Sequence, residues 1–589
     1  MMASEKRKKR AIQARQQSER VLPSYAGRRR SLLGLFCLAM AALVWRTVDQ
    51  QVFETDFLQN EGERRHLRVV KVPAHRGMIT DRNGEPLAIS TPVDSVWANP
   101  KLLDPDRSTL AALEKVLGED RDELRRLLAR RSDRAFIYLK RRVNPDVAQR
   151  VMALAEERDL SGIGLRREFR RYYPAGEVFA HVIGFTDIDD RGQEGLELAY
   201  DDWLVGEPGA KRVIRDGRAR VIKNVENIRA PRPGGDLTLS LDRRLQYLAY
   251  RELKAAVQRH KARSGSVVML DVRTGEVLAM VNQPAYNPNG SHAGRGGVLR
   301  NRALTDVFEP GSTMKPFTIA AALELGRLTP ASPIDTSPGF MRVGRAMVRD
   351  IRNYGMLDVA GVITKSSNVG ASRIALDLPP EALWKAFSNL GFGRVSAIGF
   401  PGEAAGQLSP YQRWARIDQA TLSFGYGLSV TPLQLAQAYS VLAADGLLRP
   451  VSLMRQAEIP EGERVMSAAT ARAVRLMLES VVSPAGTAPA AAVPGYRVAG
   501  KTGTVRKSVA GGYAQDRYLA VFAGMAPASD PRLVMVVMLN EPSAGKFYGG
   551  QVAAPVFSRV MAGALRLMNI PPDALDAPRV RLAGGAVHP

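Results

Sequence analysis

"EPGSTMKPF", residues 309–317, sets Ser312 three positions ahead of Lys315 and brackets both with prolines. On a helix that spacing puts the two side chains on one face, so the Lys315 amine can reach the Ser312 hydroxyl. Glu309-Pro310-Gly311 makes a poor helix interior, which places the serine at or just inside a helix N-terminus. There the unpaired backbone N–H groups and the positive end of the dipole favour developing negative charge. Pro316 suits a first-turn position, where its missing N–H costs little. A serine hydroxyl is a weak nucleophile until a base takes its proton. Lysine can be that base once burial and nearby positive charge depress its pKa. The spacing alone proves little, since about one chance Ser-x-x-Lys is expected in a chain of this composition.

Two further stretches give it weight. "KSSNVG", residues 365–370, supplies Ser366 and Asn368, a hydroxyl and an amide one residue apart. Such a pair in a loop can relay a proton and hold a substrate amide. "AGKTGTVRK", residues 499–507, supplies Lys501, Thr502, Gly503 and Thr504. It reads as the start of a strand in which the glycine admits a ligand backbone and the lysine and hydroxyls grip a carboxylate. Each stretch is weak by itself. Their order, with intervals of 54 and then 135 residues, is the set of three motifs found in penicillin-binding proteins and class A β-lactamases.

The rest of the chain bounds the chemistry. At 589 residues it is too long for one ordinary domain. The net charge of +24 raises nucleic acid or an anionic membrane as partners. Residues 1–30 hold ten Lys/Arg against Glu5 and Glu19, so a third of that surplus sits in one short tail. The chain has no finger spacing, homeodomain pattern or aromatic-basic interleaving, which excludes nucleic acid. Directly after the tail comes "SLLGLFCLAMAALVW", residues 31–45, an uncharged apolar run continuing to Val48. It fits an uncleaved membrane anchor, with a cleaved signal ("AMA", 39–41) as the competing reading. Positive residues on the cytoplasmic side would put everything beyond about residue 49 outside.

The only cysteine, Cys37, lies in that run, so the exported portion has no disulfide, thiolate nucleophile or thiolate-bound metal. None of the six histidines has metal-ligand spacing to another, and no cofactor is expected. His181 in "AHVIGF" reads as structural. Residues 105–160 read as helical, and "APRPGGDLTLSLD", 230–242, as a linker and strand at a domain boundary. Strands at 264–281 and near the C-terminus flank a helical block, which predicts an α/β layered domain of about 330 residues. The expected organisation is a basic cytoplasmic tail (1–30), a transmembrane anchor (31–48), a non-catalytic mixed α+β pedestal (49–235), a catalytic domain (236–570) and a loose tail (571–589).

The sequence resembles the class B penicillin-binding proteins, in their division-specific branch. Beyond the three motifs the likeness runs through "RGMITDRNGEPLA" (76–88), "RRYYPAGEVFAHVIGF" (170–185), "GQEGLE" (192–197), "LDVRTGEVLAMVNQPAYNPN" (270–289) and "SFGYGLSVTPLQLAQAY" (423–439). The resemblance implies an antiparallel sheet flanked by helices, of the β-lactamase-like transpeptidase type, behind a dimerisation-type pedestal. It implies that Ser312 attacks the penultimate D-alanine carbonyl of a peptidoglycan stem peptide and that Lys315 is the base. Ser366 would pass the proton to the leaving amine, and Asn368 would orient Lys315 and the substrate amide. Lys501, Thr502 and Thr504 would hold the terminal carboxylate across Gly503, with the oxyanion between the backbone N–H groups of Ser312 and Thr504. β-Lactam antibiotics would trap the serine. The implied partners are lipid-linked precursor polymer, the inner membrane, the glycan polymerase FtsW and other proteins of the division septum. It also favours the uncleaved anchor. A secreted β-lactamase, a D,D-carboxypeptidase and a scaffold with a retained enzyme core are the competing readings. In the pedestal, Arg76, Asp81, Arg170 and Glu194 are expected to form a buried ion network.

Overall fold

The computed structural model describes residues 26–53, 67–103, 105–215, 221–290, 296–509 and 512–574. Most of the basic tail, the chain between 54 and 66, the histidines at 66, 292 and 588, and the C-terminal tail beyond Ala574 lie outside them. By contacts the chain divides into two units.

One unit comprises residues up to Val72 together with Ala210–Ala230. It contains the helix Ala26–Val48, which starts five residues before the apolar run expected at 31. Its 23 residues span about 34 Å, enough for a hydrocarbon core that the 15-residue run could not cross. Leucines 32, 33, 35, 38 and 43, Phe36 and Trp45 are exposed around it. A helix apolar on all sides is suited to lipid. The same unit has a three-stranded sheet of Leu67–Val72, Gly209–Arg215 and Val221–Arg229, with Gly209–Arg215 in the middle.

The other unit, Pro73–Gly209 and Pro231 onward, takes in most of the expected pedestal and the expected catalytic domain. In the pedestal the long strand β1 (Pro86–Ala98) pairs antiparallel with β2 (Ile137–Val143) and β3 (Ile163–Tyr172). Helices Arg107–Leu117, Arg121–Arg130 and Pro145–Glu157 cover it, burying Leu110, Leu113, Leu117, Leu124 and Val151 against Val96, Ile137 and Leu139. The strand β2 departs from the all-helical expectation for 105–160. Its apolar positions 137, 139 and 143 point inward while Lys140, Arg141 and Arg142 mask the alternation.

The expected ion network exists with different members. Arg76 Nε meets Glu197 Oε2 at 2.6 Å and its Nη1 meets Asp201 Oδ1 at 2.7 Å, while Arg171 Nε meets Glu197 Oε1 at 2.6 Å. Arg170 faces outward because neighbouring residues on a strand take opposite faces. Glu194 precedes a short helix and is half-buried, whereas Glu197, one turn inside it, is fully buried. Asp81 is buried but accepts backbone N–H groups of Asn83, Glu85 and Arg243 instead of pairing with an arginine.

The catalytic domain begins with helix α1 (Arg243–Arg259) and the hairpin β4 (Ser264–Asp271) and β5 (Val277–Gln283). Helix α2 (Lys315–Glu324), α3 (Val359–Lys365), α4 (Asn368–Leu376), α5 (Pro432–Ala443) and α6 (Ala468–Glu479) come next. The chain then returns as β6 (Ala499–Val509), β7 (Gly512–Ala526) and β8 (Leu533–Asn540), and ends in α7 (Ala554–Leu567). The five strands form one antiparallel sheet in the order β5-β4-β8-β7-β6. All residues of β4 and β5 are buried, so both faces of this sheet are covered and its strands read as continuous apolar runs. α1 and α7 cover one face, and α5, buried along its whole length, packs against the other. This is the expected α/β layered fold. The arrangement leaves β6 on an edge, with the turn that carries Ser312 packed beside it.

Candidate active site

Ser312 sits in a 3-10 turn, Gly311–Met314, that runs directly into α2. The expectation was an α-helical N-terminus; the tighter turn sharpens the point, because residues three apart eclipse each other in a 3-10 helix. Lys315 Nζ accordingly lies 2.9 Å from Ser312 Oγ. The turn is held from behind: Tyr439 of α5, fully buried, donates from its hydroxyl to Thr313 O at 2.9 Å. Gly311 N–H donates to Gly425 O, within the "SFGYG" stretch, at 3.0 Å.

The second motif arrives through a break between two helices. α3 ends at Ser366, whose φ of 59° is left-handed, and α4 starts at Asn368 behind its N-cap Ser367. A left-handed serine at a helix end is strained by about 1 kcal/mol or more. That conformation points both the carbonyl and the hydroxyl of Ser366 at Lys315, at 2.6 and 3.1 Å from Nζ. Asn368 Oδ1 accepts from the same amine at 2.8 Å.

The third motif lies on β6. Lys501 Nζ donates to Ser366 Oγ at 2.9 Å, so the Ser366 hydroxyl stands between two lysine amines. Thr502 and Thr504 alternate with Lys501 and Gly503 along the strand. Gly503 is also required by the protein's own packing. A Cβ there would stand 2.9 Å from Pro310 O and 3.1 Å from Thr313 Cγ2. Its bare backbone admits the nucleophile's own turn.

Both lysines are fully buried. Burial, then the charge of Lys501, holds the Lys315 amine well below the ordinary lysine value, with Asp350 opposing. Burial brings Lys501 down to about 7. The structure therefore brings Ser312, Lys315, Ser366, Asn368 and Lys501 into one connected cluster with a depressed amine at hydrogen-bond distance from the serine. That is the constellation of an activated nucleophile.

Sequence reasoning missed several supports. Asp350 accepts the Ser367 hydroxyl and the backbone N–H of Asn368, and that of Val369 at 3.1 Å, fixing the start of α4. Its signal in "VRDIRNYG" is a lone aspartate in a turn, which carries no recognisable spacing. Thr487 and Gly549 hold the threonines of β6. His181 is buried, bonds Val298 O at 2.9 Å, and burial takes it down to about 4. It is a neutral structural histidine, as expected. Among the described residues no group of His, Cys, Asp and Glu could hold a metal ion.

Comparison with known proteins decides the lineage of this site. Residues 265–562 match the penicillin binding protein transpeptidase domain, and residues 71–239 the penicillin-binding protein dimerisation domain. The chain belongs to the class B penicillin-binding proteins. This penicillin-binding protein is 46% identical over 550 residues to the peptidoglycan D,D-transpeptidase FtsI of Escherichia coli K12, covering 92% of each chain. It is 44% identical to the probable peptidoglycan D,D-transpeptidase PenA of Neisseria meningitidis, covering 93% of this chain and 94% of that relative. Among solved structures it resembles the transpeptidase domain of penicillin-binding protein 3 from Burkholderia pseudomallei, with a TM-score of 0.54 and 49% identity. That match covers 57% of this chain and 98% of the other.

Proposed function

We infer that this protein is a membrane-anchored serine D,D-transpeptidase that crosslinks peptidoglycan stem peptides and is acylated by β-lactams. The observation that carries the reading is the buried Lys315 amine, 2.9 Å from Ser312 Oγ and depressed by burial and by Lys501. Neutral Lys315 takes the Ser312 proton as the oxygen attacks the penultimate D-alanine carbonyl. Ser366, bonded to both lysines, passes a proton to the departing D-alanine amine. Asn368 holds Lys315 in place and receives the substrate amide. The donor peptide adds as a strand to the edge of β6 that no other strand of the sheet pairs. Its carboxylate is held by Lys501, Thr502 and Thr504, and its oxyanion by the backbone N–H groups of Ser312 and Thr504, each donor contributing about 3–4 kcal/mol. An amine of a second stem peptide then attacks the acyl-enzyme, expels Ser312 Oγ and closes the crosslink.

The helix Ala26–Val48 supports anchoring in the cytoplasmic membrane. Arg28, Arg29 and Arg30 at its start favour a cytoplasmic N-terminus and a periplasmic catalytic domain. Relatives named FtsI support a role at the division septum. The tail, anchor and pedestal are then surfaces for the glycan polymerase FtsW and other division proteins. Labelling with a fluorescent penicillin tests the chemistry: a stable adduct is expected, and Ser312→Ala should abolish it. Persistent labelling of that variant, or rapid turnover of the penicillin, would sink the mechanism. A periplasmic reporter fused near residue 60 should be active; an inactive one reverses the orientation.

A further inference from the structure

The two threonine hydroxyls of β6 are gripped from behind. Gly549 N–H donates to Thr504 Oγ1 at 2.9 Å. Thr487 Oγ1 lies 2.9 Å from Thr502 Oγ1, and Lys501 Nζ donates to that same Thr502 oxygen at 3.3 Å. A hydroxyl has one proton and two lone pairs. With a donor seated on its oxygen, each threonine has its proton left to offer to an acceptor in front of the strand. The support is rigid. A Cβ on Gly549 would stand 2.3 Å from Val521 O and 2.5 Å from Gly503 O, and one on Gly550 would stand 2.3 Å from Thr487 O. The segment 549–550 is thus wedged between the β6–β7 pair and the Thr487 loop, and only bare backbone fits there.

We propose that Thr487 is a positioning residue for recognition of the donor carboxylate: it donates to Thr502 Oγ1 and so turns the Thr502 proton toward the anion. This rests on the reading that Thr502 and Thr504 hold that carboxylate. Among the described residues the Thr487 hydroxyl bonds no other group, so the Thr502 oxygen is the protein acceptor for its proton. The chain Thr487 to Thr502 to carboxylate points every donor at the negative charge, and each bond polarises the next. The reverse direction would turn the Thr502 proton away from the anion. Gly549 does for Thr504 with a backbone amide what Thr487 does for Thr502 with a side chain. The consequence is selectivity for donors with a free terminal carboxylate.

The test measures second-order acylation of the full-length protein by a fluorescent penicillin, once as the free acid and once as its methyl ester. Thr487→Val should slow acylation by the acid about fivefold, the usual weight of one hydrogen bond, and leave the ester unchanged, narrowing the acid-to-ester ratio. Thr487→Ser should restore it. Thr487 is exposed, so these variants leave the core untouched. Equal slowing with both compounds, or no slowing with either, overturns the proposal. Thr502→Ala separates it from the reading beneath: an unchanged ratio there means that Thr502 does not read the carboxylate. A ratio narrowed by Thr502→Ala but not by Thr487→Val removes Thr487 alone. The double variant should show no more narrowing than Thr502→Ala, and any further narrowing means that Thr487 touches the ligand itself, which defeats the route through Thr502.

Discussion

Arg76 and Arg171 in the pedestal are nearly as deeply buried as Lys315 and Lys501 beside the serine, yet the two pairs of cations meet opposite surroundings. The arginines share the carboxylate of Glu197, fully buried, with Asp201 as a second anion on Arg76. Burial by itself would lower the Arg76 pKa, but Glu197 and Asp201 outweigh it and raise the pKa instead. Among the described residues the lysines are offered hydroxyl, amide and carbonyl oxygens but no carboxylate within ion-pair distance. Burial therefore wins, and both amines are depressed. The same desolvation makes fixed structural charge in one place and a proton acceptor in the other. What differs is the nearest anion.

The comparison breaks first at Lys315. Lys315→Met should slow acylation by ~10³-fold, the range of a lost general base. It strands no counter-charge, so the unfolding midpoint should move little. A labelled-penicillin time course and a denaturation curve on the same preparation check both halves. In the pedestal the outcome inverts. Glu197→Ala leaves the buried Arg171 guanidinium without its anion and Arg76 with Asp201 alone, and should cost about 3–5 kcal/mol of stability, while the folded fraction acylates at the parental rate. If that variant folds as well as the parent, the pedestal network is not held together by its charge.

The catalytic cluster was legible in the sequence because its chemistry demands particular residue types at short local spacings. Ser312 and Lys315, or Ser366 and Asn368, are each set by one turn of backbone, and only the distance between motifs needs the fold. The pedestal network was legible as a set of charges but not as a set of partners. "RREFRRYY" carries arginines on both faces of a strand, so a shift of one residue decides between Arg170 and Arg171. Asp350 acts through three bonds, and Thr487 and Gly549 through one each, to backbone or hydroxyl groups delivered by other segments. Nothing in local spacing marks such residues. Gly503 was visible as a required glycine, but what presses on it is the protein's own Pro310 and Thr313.

Asp350 is the one anion that reaches into the lysine cluster among the described residues, and its removal should sharpen the comparison. Asp350→Asn weakens the acceptor at the start of α4 and loosens Ser366 and Asn368, so plateau acylation should fall about tenfold. The charge also matters. Asp350 raises the Lys315 pKa against the lowering effects of burial and Lys501. Without it the amine loses its proton at lower pH, so the acidic limb of the acylation profile should move to lower pH as the plateau drops. A fall in rate with no movement of the limb would make Asp350 a purely mechanical support.

Lys501 offers the smallest effect at any single step of one pH unit, read in stability and not in rate. In the unfolded chain its amine titrates near the ordinary lysine value, and in the folded protein at about 7. Between those two values the unfolded state binds one more proton than the folded one, so stability rises with pH across that interval. Below about 7 both states are protonated and the full penalty of burying the charge is present; above the ordinary lysine value both are neutral and the penalty is gone. The slope is on the order of 1 kcal/mol per pH unit for this one group. Other groups titrate over the same range, so the informative quantity is the difference between parent and Lys501→Met. That difference should change along the interval with the sign just given, the parent gaining on the variant as pH rises. Two parallel curves would mean that Lys501 keeps its proton in the folded protein. The cluster would then hold an anion that offsets the charge, and the contrast with the pedestal would collapse.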